Sequence, residues 1–301
     1  MSQSLLPVPS GRFLIPGATF LFAQEKPLKF SLIIPTYKES QNIRKIVKQL
    51  THLLDRKIPN QYELIIVDDN SPDRTGEIAL EVAKSYPQLK VMCRQNEKGL
   101  STAVIRGWQM ARGEILGVID ADLQHPPETL LQLYEKMERK ADLAVASRHI
   151  SGGGVSEWSL ARRILSRGAQ LLGLILVPQV VGRVSDPLSG YFLLRRDAIQ
   201  GREMNPTGYK ILLEVLGRGK IEYIQEVGYI FQERTEGESK VTVKQYLEYI
   251  QHLWRLKFPR WSLRRSLRYG QIILKHSQRR RSRLSSLGKK KQPILPLSNS
   301  R

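Results

Sequence analysis

Two aspartates at the end of an apolar run are the residues whose types and spacing most directly suggest chemistry. Residues Ile115 to Ile119 are almost all apolar, and Asp120-Ala121-Asp122 follows at once. Two carboxylates at the tip of a buried strand need a cation to receive their charge. Hard divalent metals bind one or two carboxylates together with substrate phosphates. The motif therefore predicts a metal–diphosphate site, and an ordinary acidic turn between strand and loop is the alternative.

The residues after this motif favour the metal site. Gln124 and His125 follow the aspartates directly. Pro126 and Pro127 suit the first turn of a helix, and Glu128 complements the dipole of that helix. Of the five histidines only His125 lies beside the motif. We expect it to support the site or the helix start rather than to catalyse.

Strand and helix patterns alternate through the first half of the chain and decide where these residues lie. The predicted strands are Lys29–Pro35, Tyr62–Val67, Lys90–Cys93 and Ile115–Ile119. Helical periodicity follows them, over about residues 42–54, 75–86, 99–112 and 128–139. The short connections indicate a parallel, doubly wound sheet.

Polar residues follow the end of each of these four strands. The carboxyl ends of parallel strands share one edge of a sheet, and open α/β sheets bind their ligands there. The residues expected at this edge are Tyr37, Glu39, Asp68, Asp69, Asn96, Lys98, Asp120 and Asp122. Neither a Gly-x-Gly-x-x-Gly turn nor a Gly-Lys-Ser/Thr loop follows the first strand, which argues against dinucleotide-binding and P-loop proteins.

The second half of the chain adds further strands and a long amphipathic segment. The predicted elements are strands at Leu143–Ala146, Tyr191–Leu194 and Ile224–Phe231 and a leucine-rich helix at Ser159–Val181. Residues 233–240 are polar and indicate a loop. Residues Val243 to Leu256 form an amphipathic helix, whose apolar face either packs on the core or lies in a membrane interface. The pattern leaves both arrangements open.

Positive charge is concentrated towards the C-terminus. The 301 residues carry a net charge of +20, and residues 255–301 contain 15 Lys or Arg and no acidic residue. The other 33 basic and 28 acidic residues leave +5 for the rest of the chain. A basic tail of this kind meets nucleic acid or anionic lipid. Acidic strand ends would repel a nucleic-acid backbone, so binding of nucleic acid is the weaker interpretation.

Cysteine content and hydropathy exclude other classes of protein. Cys93 is the single cysteine, so an internal disulfide and a cysteine-based metal site are excluded. One cysteine also fits a reducing compartment. No run reaches the roughly 20 apolar residues that a membrane-spanning helix needs. The N-terminal residues lack the charged start and cleavage site of a signal peptide.

These patterns divide the chain into four predicted regions. Residues 1–28 are punctuated by Pro and Gly and predict a flexible lead-in. Residues 29–240 form the α/β domain, and residues 241–270 form an amphipathic helical region at a membrane interface. Residues 271–301 form a basic, disordered tail.

Seven short motifs follow one another in a recognisable order over about residues 30–256. They are Ile34-Pro35-Thr36-Tyr37-Lys38-Glu39, Val67-Asp68-Asp69-Asn70-Ser71-Pro72-Asp73-Arg74-Thr75, Lys98-Gly99-Leu100, Asp120-Ala121-Asp122-Leu123-Gln124-His125-Pro126-Pro127-Glu128, Ser147-Arg148, Asp186-Pro187-Leu188-Ser189-Gly190-Tyr191 and Gly237-Glu238-Ser239-Lys240. Together they resemble family 2 glycosyltransferases, and more narrowly the dolichyl- or polyprenyl-phosphate mannosyltransferases. The resemblance implies a GT-A fold, an α/β, Rossmann-like architecture with a mixed, mainly parallel sheet flanked by helices. Here a C-terminal amphipathic helix and a basic tail would follow it.

The resemblance also implies roles for individual residues. The metal, Mg²⁺ or Mn²⁺, would be held by Asp120, Asp122 and Gln124. The residues that would bind the nucleotide sugar are Pro35, Tyr37, Glu39, Val67, Asp69, Lys98, Asp120, Ala121, Asp122, Arg148, Arg234 and Lys240. Asp122, Arg234 and Lys240 would be the catalytic residues, with the two cations meeting phosphates of the donor or acceptor.

The implied reaction moves a hexose from a nucleotide sugar to a polyprenyl phosphate. Mannose is favoured and glucose is the alternative, so the donor is of the GDP-mannose or UDP-glucose type. The acceptor phosphate is already an anionic nucleophile, so the reaction needs no general base and should invert the anomeric carbon. The runner-up is a relative of the same fold that acts on another lipid or on a cell-wall glycan.

A membrane location follows from the acceptor that the resemblance implies. Some family members carry C-terminal transmembrane helices, and this chain has a basic tail in their place. We therefore expect a cytoplasmic protein that lies peripherally on the cytosolic face of a membrane. An anionic membrane surface or a small membrane subunit would hold it there.

Overall fold

A single mixed sheet dominates the computed structural model, which describes residues 4–17, 28–156, 160–232 and 243–258. The strands are β1 (Leu28–Thr36), β2 (Tyr62–Asp68), β3 (Leu89–Cys93), β4 (Gly113–Val118), β5 (Leu143–Ser147), β6 (Gly154–Val155), β7 (Phe192–Arg195), β8 (Ile224–Gly228) and β9 (Ile230–Phe231). The α-helices are α1 (Ile43–Lys57), α2 (Thr75–Ala83), α3 (Leu100–Met110), α4 (Thr129–Glu138), α5 (Leu160–Leu176), α6 (Pro178–Val181), α7 (Ile211–Arg218) and α8 (Val243–Lys257).

The strand order of the main sheet is β3-β2-β1-β4-β7-β5-β8. Strand β1 pairs in parallel with β2 and β4, and β2 pairs in parallel with β3. Strand β7 runs antiparallel between β4 and β5, and β8 pairs in parallel with β5. The predicted mixed, mainly parallel sheet is confirmed.

Helices cover both faces of this sheet, which explains why its strands are continuously apolar. On one face Leu32 and Ile34 pack with α1 and α2. On the other face Ile33 packs with Trp108 of α3. A Cβ atom on Gly107 would lie 2.7 Å from Ile33, so this glycine allows α3 its close approach. Burial on both faces fixes the register of the strands, and hence the edge at which their ends meet.

Several elements differ from the sequence prediction. Helix α7 and the two-residue strand β6 were not predicted. The predicted helix Ser159–Val181 is divided at Val177, where Pro178 begins α6, because proline lacks the N–H that would continue α5. The predicted strand Ile224–Phe231 is divided at Tyr229, and its last two residues pair with β6 instead of continuing the main sheet.

Residues 4–17 pack against the domain. Ile15 is fully buried, and the Leu6 backbone N–H donates to the Val91 carbonyl oxygen over 2.7 Å. Leu14 forms an isolated antiparallel bridge with Glu203. The prediction of a flexible lead-in over residues 1–28 therefore does not hold for residues 4–17, because Ile15 joins the core and Leu6 and Phe13 pack against it. The other region boundaries stay predictions.

Helix α8 packs on the domain along one face. Tyr249, His252 and Leu253 are buried, and the Tyr249 hydroxyl donates to the Ala169 carbonyl oxygen of α5 over 2.7 Å. The His252 ring nitrogen Nε2 lies 2.8 Å from Oε2 of Glu214 in α7. The sequence left two arrangements open for this amphipathic helix, and the buried face of α8 adopts the first of them, packing on the core. None of the helices in the described ranges is long and apolar enough to cross a membrane.

Candidate active site

The carboxyl ends of β1, β2 and β4 lie side by side and bring three of the sequence motifs together. The Lys38 backbone N–H donates to the Ser71 hydroxyl oxygen over 3.0 Å, and the Glu39 N–H donates to the Thr75 hydroxyl oxygen over 3.0 Å. The Asp69 N–H donates to the Thr36 carbonyl oxygen over 3.1 Å. These hydrogen bonds join the loops that follow β1 and β2 into one surface.

Each of the three loops contains a residue with a left-handed backbone directly after a residue predicted to bind ligand. The φ angles are 58° at Lys38, 53° at Asn70 and 59° at Leu123. This region is strained for a bulky side chain such as leucine. Strained backbone persists where the surrounding structure holds it, and it concentrates at binding and catalytic sites.

The two aspartates that follow β2 have different environments. Asp68 holds the turn, because its Oδ1 and Oδ2 atoms accept hydrogen bonds from the Ser71 hydroxyl and backbone N–H over 2.6 and 2.9 Å. Asp69 faces the loop after β3. Its Oδ2 accepts a hydrogen bond from the Gly99 N–H over 2.7 Å, and its Oδ1 accepts one from Nε of Arg94, also over 2.7 Å. Asp69, which was predicted to bind the nucleoside, is therefore held in a fixed orientation by the loop after β3.

Other residues predicted to bind the nucleotide sugar lie at or after the ends of β1, β2 and β3. Pro35 and Val67 are paired in register at the ends of β1 and β2, and both are buried. Tyr37 is 39% exposed, so part of its ring is open to a ligand. The Glu39 Oε2 atom accepts a hydrogen bond from the Asn42 amide over 2.8 Å. Lys98 is exposed directly before Gly99.

The predicted metal ligands lie at the end of β4. Asp120 Oδ1 is buried and has no hydrogen-bond partner, which is a costly arrangement for a carboxylate unless a cation receives it. Asp122 Oδ1 accepts a hydrogen bond from the Gln124 backbone N–H over 3.1 Å. The Gln124 side-chain nitrogen donates to the Gln232 carbonyl oxygen over 2.9 Å, so the amide oxygen is the atom suited to a metal.

The oxygen donors of this motif fit a hard divalent ion. No group of three or more His, Cys, Asp or Glu able to hold a metal occurs in the described part of the chain. Two carboxylates and one amide oxygen suit Mg²⁺ or Mn²⁺ when diphosphate oxygens complete the coordination. A Cβ atom on Gly190 would lie 2.9 Å from Asp120 Oδ2, so the turn that contains this glycine packs directly against the motif.

His125 lies behind the aspartates in an aromatic cluster. Its ring centroid is between 5.2 and 5.4 Å from those of Tyr191, Tyr229 and Phe231. Its Nε2 atom is 3.5 Å from Asp120 Oδ2. The side chain is 3% exposed, which agrees with the supporting role that we expected.

Arg148 forms a buried ion pair that sequence reasoning missed. Its Nε and Nη2 atoms donate to the two carboxylate oxygens of Asp186 over 2.6 and 2.8 Å. Burial alone would raise the pKa of Asp186, but the hydrogen bonds and charge of Arg148 outweigh it, and the pKa is lowered. Burial would lower the pKa of Arg148, but Asp186 outweighs it and the pKa is raised. Arg148 was predicted to meet a phosphate, and any such contact would be made by a guanidinium already oriented by Asp186.

Comparisons with known proteins give the family of this chain. A family described as "Glycosyl transferase family 2" matches residues 31–202. A dolichol-phosphate mannosyltransferase from Pyrococcus furiosus is 44% identical over 229 residues, which are 76% of this chain and 64% of the relative. One from Saccharomyces cerevisiae is 35% identical over 75% of this chain and 86% of the relative. The chain belongs to glycosyl transferase family 2.

Solved structures show that the fold of this glycosyltransferase is GT-A, as predicted. A crystal structure of glucosyl-3-phosphoglycerate synthase from Mycobacterium tuberculosis, in complex with Mn²⁺, UDP and glucosyl-3-phosphoglycerate, aligns with a TM-score of 0.56 at 18% identity and covers 79% of this chain and 81% of that chain. Mannosyl-3-phosphoglycerate synthase from Rubrobacter xylanophilus aligns with a TM-score of 0.57 at 19% identity over 76% of this chain and 73% of that chain.

The two predicted catalytic cations of this glycosyltransferase, Arg234 and Lys240, lie outside the described residues. The described range that precedes them ends at Gln232, which contacts the metal motif. Gln232 donates its backbone N–H to the Gln124 carbonyl oxygen over 2.9 Å and accepts the Gln124 side chain in return. Arg234 follows Gln232 by two residues in the sequence.

Three residues that sequence reasoning left without a role belong to the site. Asp186 orients Arg148, Gln232 orients Gln124, and Arg94 holds Asp69. Asp186 lay within a family motif, which was the only signal for it. No local pattern marks Gln232 or Arg94, because each acts on a residue that is more than 20 positions away.

Proposed function

We propose that this glycosyltransferase moves a hexose, with mannose favoured over glucose, from a nucleotide sugar to a polyprenyl phosphate. The observation that carries the proposal is the buried, unpartnered Oδ1 atom of Asp120 at the sheet edge that it shares with Asp69. Two relatives named dolichol-phosphate mannosyltransferase support the acceptor class. The chain spans 64% of the length of the Pyrococcus furiosus relative.

The predicted site residues would have separate roles in the reaction. Asp120, Asp122 and the Gln124 amide oxygen would hold Mg²⁺ or Mn²⁺, whose charge offsets that of the departing nucleoside diphosphate. Asp69 would accept a hydrogen bond from the nucleoside. Arg234 and Lys240 would contact phosphates of the donor or acceptor, with Arg suited to two parallel hydrogen bonds and Lys to a point charge.

A transfer assay tests this proposal. The protein is incubated with a polyprenyl phosphate, Mn²⁺ and a panel of nucleotide sugars, and the lipid phase is analysed for sugar. We expect labelled lipid from one donor, with the anomeric configuration inverted, because the acceptor phosphate attacks directly. Sugar on a glycan or on another lipid would favour the alternative acceptor, and a retained configuration would exclude direct attack.

Arg234→Ala and Lys240→Ala should each reduce the transfer rate or substrate affinity at least about tenfold. A charge-assisted hydrogen bond contributes about 1.5–3 kcal/mol, and about 1.4 kcal/mol corresponds to a factor of ten. Initial rates at varied donor and acceptor concentrations measure the effect. Lys220→Ala, which removes an exposed charge elsewhere, is the matched control. Two alanine variants with normal kinetics would mean that this polar segment has no role in transfer.

We also propose that α5 and α8 form the surface that faces the membrane. Leu171 and Ile175 of α5 are 60% and 67% exposed, and Leu247 and Trp254 of α8 are 63% and 54% exposed. The two helices are in contact through Tyr249, so their exposed apolar residues can contribute to one surface. An amphipathic surface that is followed in the sequence by a polybasic segment is typical of proteins that bind anionic membranes. The protein would lie on the cytosolic face, and a small membrane subunit is the alternative partner.

Liposome binding should depend on this surface and on the basic tail separately. A Leu247→Gln/Trp254→Gln variant should sediment poorly with anionic vesicles, because each buried apolar side chain contributes about 1.5–3 kcal/mol. Truncation after Lys257 should also weaken binding and remove most of its salt dependence, since roughly 1 kcal/mol is expected from each basic residue near an anionic surface.

Leu5→Gln/Tyr223→Ser is the matched control, because both residues are about half exposed and lie outside α5 and α8. Donor binding should be unchanged in the control, in the Leu247→Gln/Trp254→Gln variant and in the truncated protein. Equal sedimentation of wild type and variants with neutral and anionic vesicles would contradict the proposed membrane surface. Binding that appears only with a membrane subunit present would favour the alternative partner.

A further inference from the structure

Arg94 is a fully buried arginine paired with Asp69, the residue proposed to bind the nucleoside, and its exposed side-chain fraction is 0%. Its Nε and Nη2 atoms both donate to Asp69 Oδ1. Its Nη2 also donates to the Gly99 carbonyl oxygen over 3.0 Å, and its Nη1 donates to Thr102 Oγ1 and Glu97 Oε2 over 2.9 and 3.3 Å. A guanidinium has five N–H donors in a rigid fork, and all five are used here.

The contacts of Arg94 continue outwards to the N-terminal segment. Glu97 accepts hydrogen bonds from Arg106 at Oε2 over 2.9 Å and at Oε1 over 2.6 Å. Arg106 donates in turn to the Gly11 carbonyl oxygen over 3.1 Å, and its guanidinium carbon lies 4.3 Å from the ring centroid of Phe13. Arg94 is therefore fixed from both sides, by Asp69 and by a chain of contacts that reaches residues outside the family match at 31–202.

This arrangement leaves the Asp69 carboxylate with one defined orientation. Oδ1 already accepts two hydrogen bonds from Arg94, and Oδ2 accepts one from the Gly99 N–H. A carboxylate oxygen accepts two hydrogen bonds, so Oδ2 keeps capacity for one incoming N–H donor. The ring N–H groups of guanine and uracil are donors of this kind. A carboxylate held in advance loses little conformational entropy when it binds such a base.

We infer that Arg94 is a positioning residue for nucleoside recognition: it holds Asp69 in the orientation that accepts a nucleobase N–H. The inference rests on the proposed function, in which Asp69 binds the nucleoside of the donor. Arg94 itself touches no substrate. Its loss should weaken binding of the nucleoside and leave binding of the diphosphate at the metal motif intact.

The test compares two ligands in the presence of Mn²⁺ by titration calorimetry. The nucleotide compared with pyrophosphate is the one of GDP and UDP that the wild type binds more tightly. In Arg94→Met its dissociation constant should rise about tenfold or more, while that of inorganic pyrophosphate stays within about twofold of the wild-type value. Tenfold corresponds to about 1.4 kcal/mol, the value of one charge-assisted hydrogen bond. Arg94→Lys keeps the charge and loses the paired hydrogen bonds, so it should give a smaller rise and serves if the Met variant does not fold.

Arg196→Met is the matched control. Arg196 is equally buried and donates to the carbonyl oxygens of Gly113 and Ala111 over 2.8 Å, at the opposite end of β4. It should lower the thermal midpoint and leave the affinity for nucleotide unchanged. Normal nucleotide affinity in folded Arg94 variants, an equal loss for pyrophosphate, or an equal loss in Arg196→Met would overturn the inference.

Asp69→Asn separates this inference from the function on which it rests. It should weaken nucleotide binding at least as much as Arg94→Met. A wild type that binds neither GDP nor UDP, or an Asp69→Asn variant with normal affinity, would contradict the nucleoside role of Asp69 and the inference with it. Loss of affinity in Asp69→Asn with none in the Arg94 variants would overturn the inference alone.

Discussion

Asp122→Asn should abolish sugar transfer and leave the fold intact. The substitution keeps the volume of the side chain and the oxygen that accepts the Gln124 N–H, but it removes one anionic metal ligand. Charge stabilisation by a metal is worth several kcal/mol in such a reaction. We therefore expect the rate to fall at least about a hundredfold, and Asp120→Asn to cost nearly as much. Initial rates with Mg²⁺ or Mn²⁺ present, together with calorimetric titration of Mn²⁺, measure the change.

Glu128→Gln is the matched control for the aspartate variants. It removes a carboxylate from the same motif, but the side chain is exposed and was not assigned to the metal. It should keep near-normal activity and Mn²⁺ affinity, and the thermal midpoints of all three variants should stay close to that of the wild type. Near-normal activity in both aspartate variants would show that the metal assignment is wrong.

Asp186→Asn should lower the free energy of unfolding by at least about 3 kcal/mol at neutral pH. The substitution removes the carboxylate that holds the Arg148 guanidinium, and loss of one partner of a buried ion pair costs about 3–5 kcal/mol. Denaturant unfolding of the wild type and the variant measures the difference. The double variant Arg148→Met/Asp186→Leu should recover much of the stability, because it leaves no buried charge.

The destabilisation should also depend on pH. Because the pKa of Asp186 is lowered in the folded state, its contribution is complete above the unfolded-state value of about 3.9 and disappears as the pH falls through the folded-state value. The difference between wild type and Asp186→Asn should therefore be constant from about pH 5 to 8 and shrink below about pH 4. Equal unfolding midpoints at neutral pH would mean that the pair contributes nothing to stability.

The sheet edge was predictable because its signals are local. Each strand is a short apolar run and each helix repeats its apolar residues along the chain, so order and direction follow from a single pass. Asp69, Asp120 and Asp122 could be placed at one edge because parallel strands with short crossovers end on the same side. The position of β7 was harder to predict from the sequence. This strand pairs antiparallel with both β4 and β5, and neither of them is adjacent to it in the sequence.

Sequence alone determined the strands at this sheet edge and the family to which the chain belongs, and it predicted the metal motif. Only the tertiary structure decided which charges are paired. Asp186 lies 38 residues from Arg148, and Arg94 lies 25 residues from Asp69. It also showed that α8 buries one side of its helix and exposes apolar residues on another. Which charged side chains pair depends on strand register and on how closely the loops approach in space. The sequence does not distinguish a carboxylate or guanidinium that pairs with protein from one that binds a metal or a phosphate.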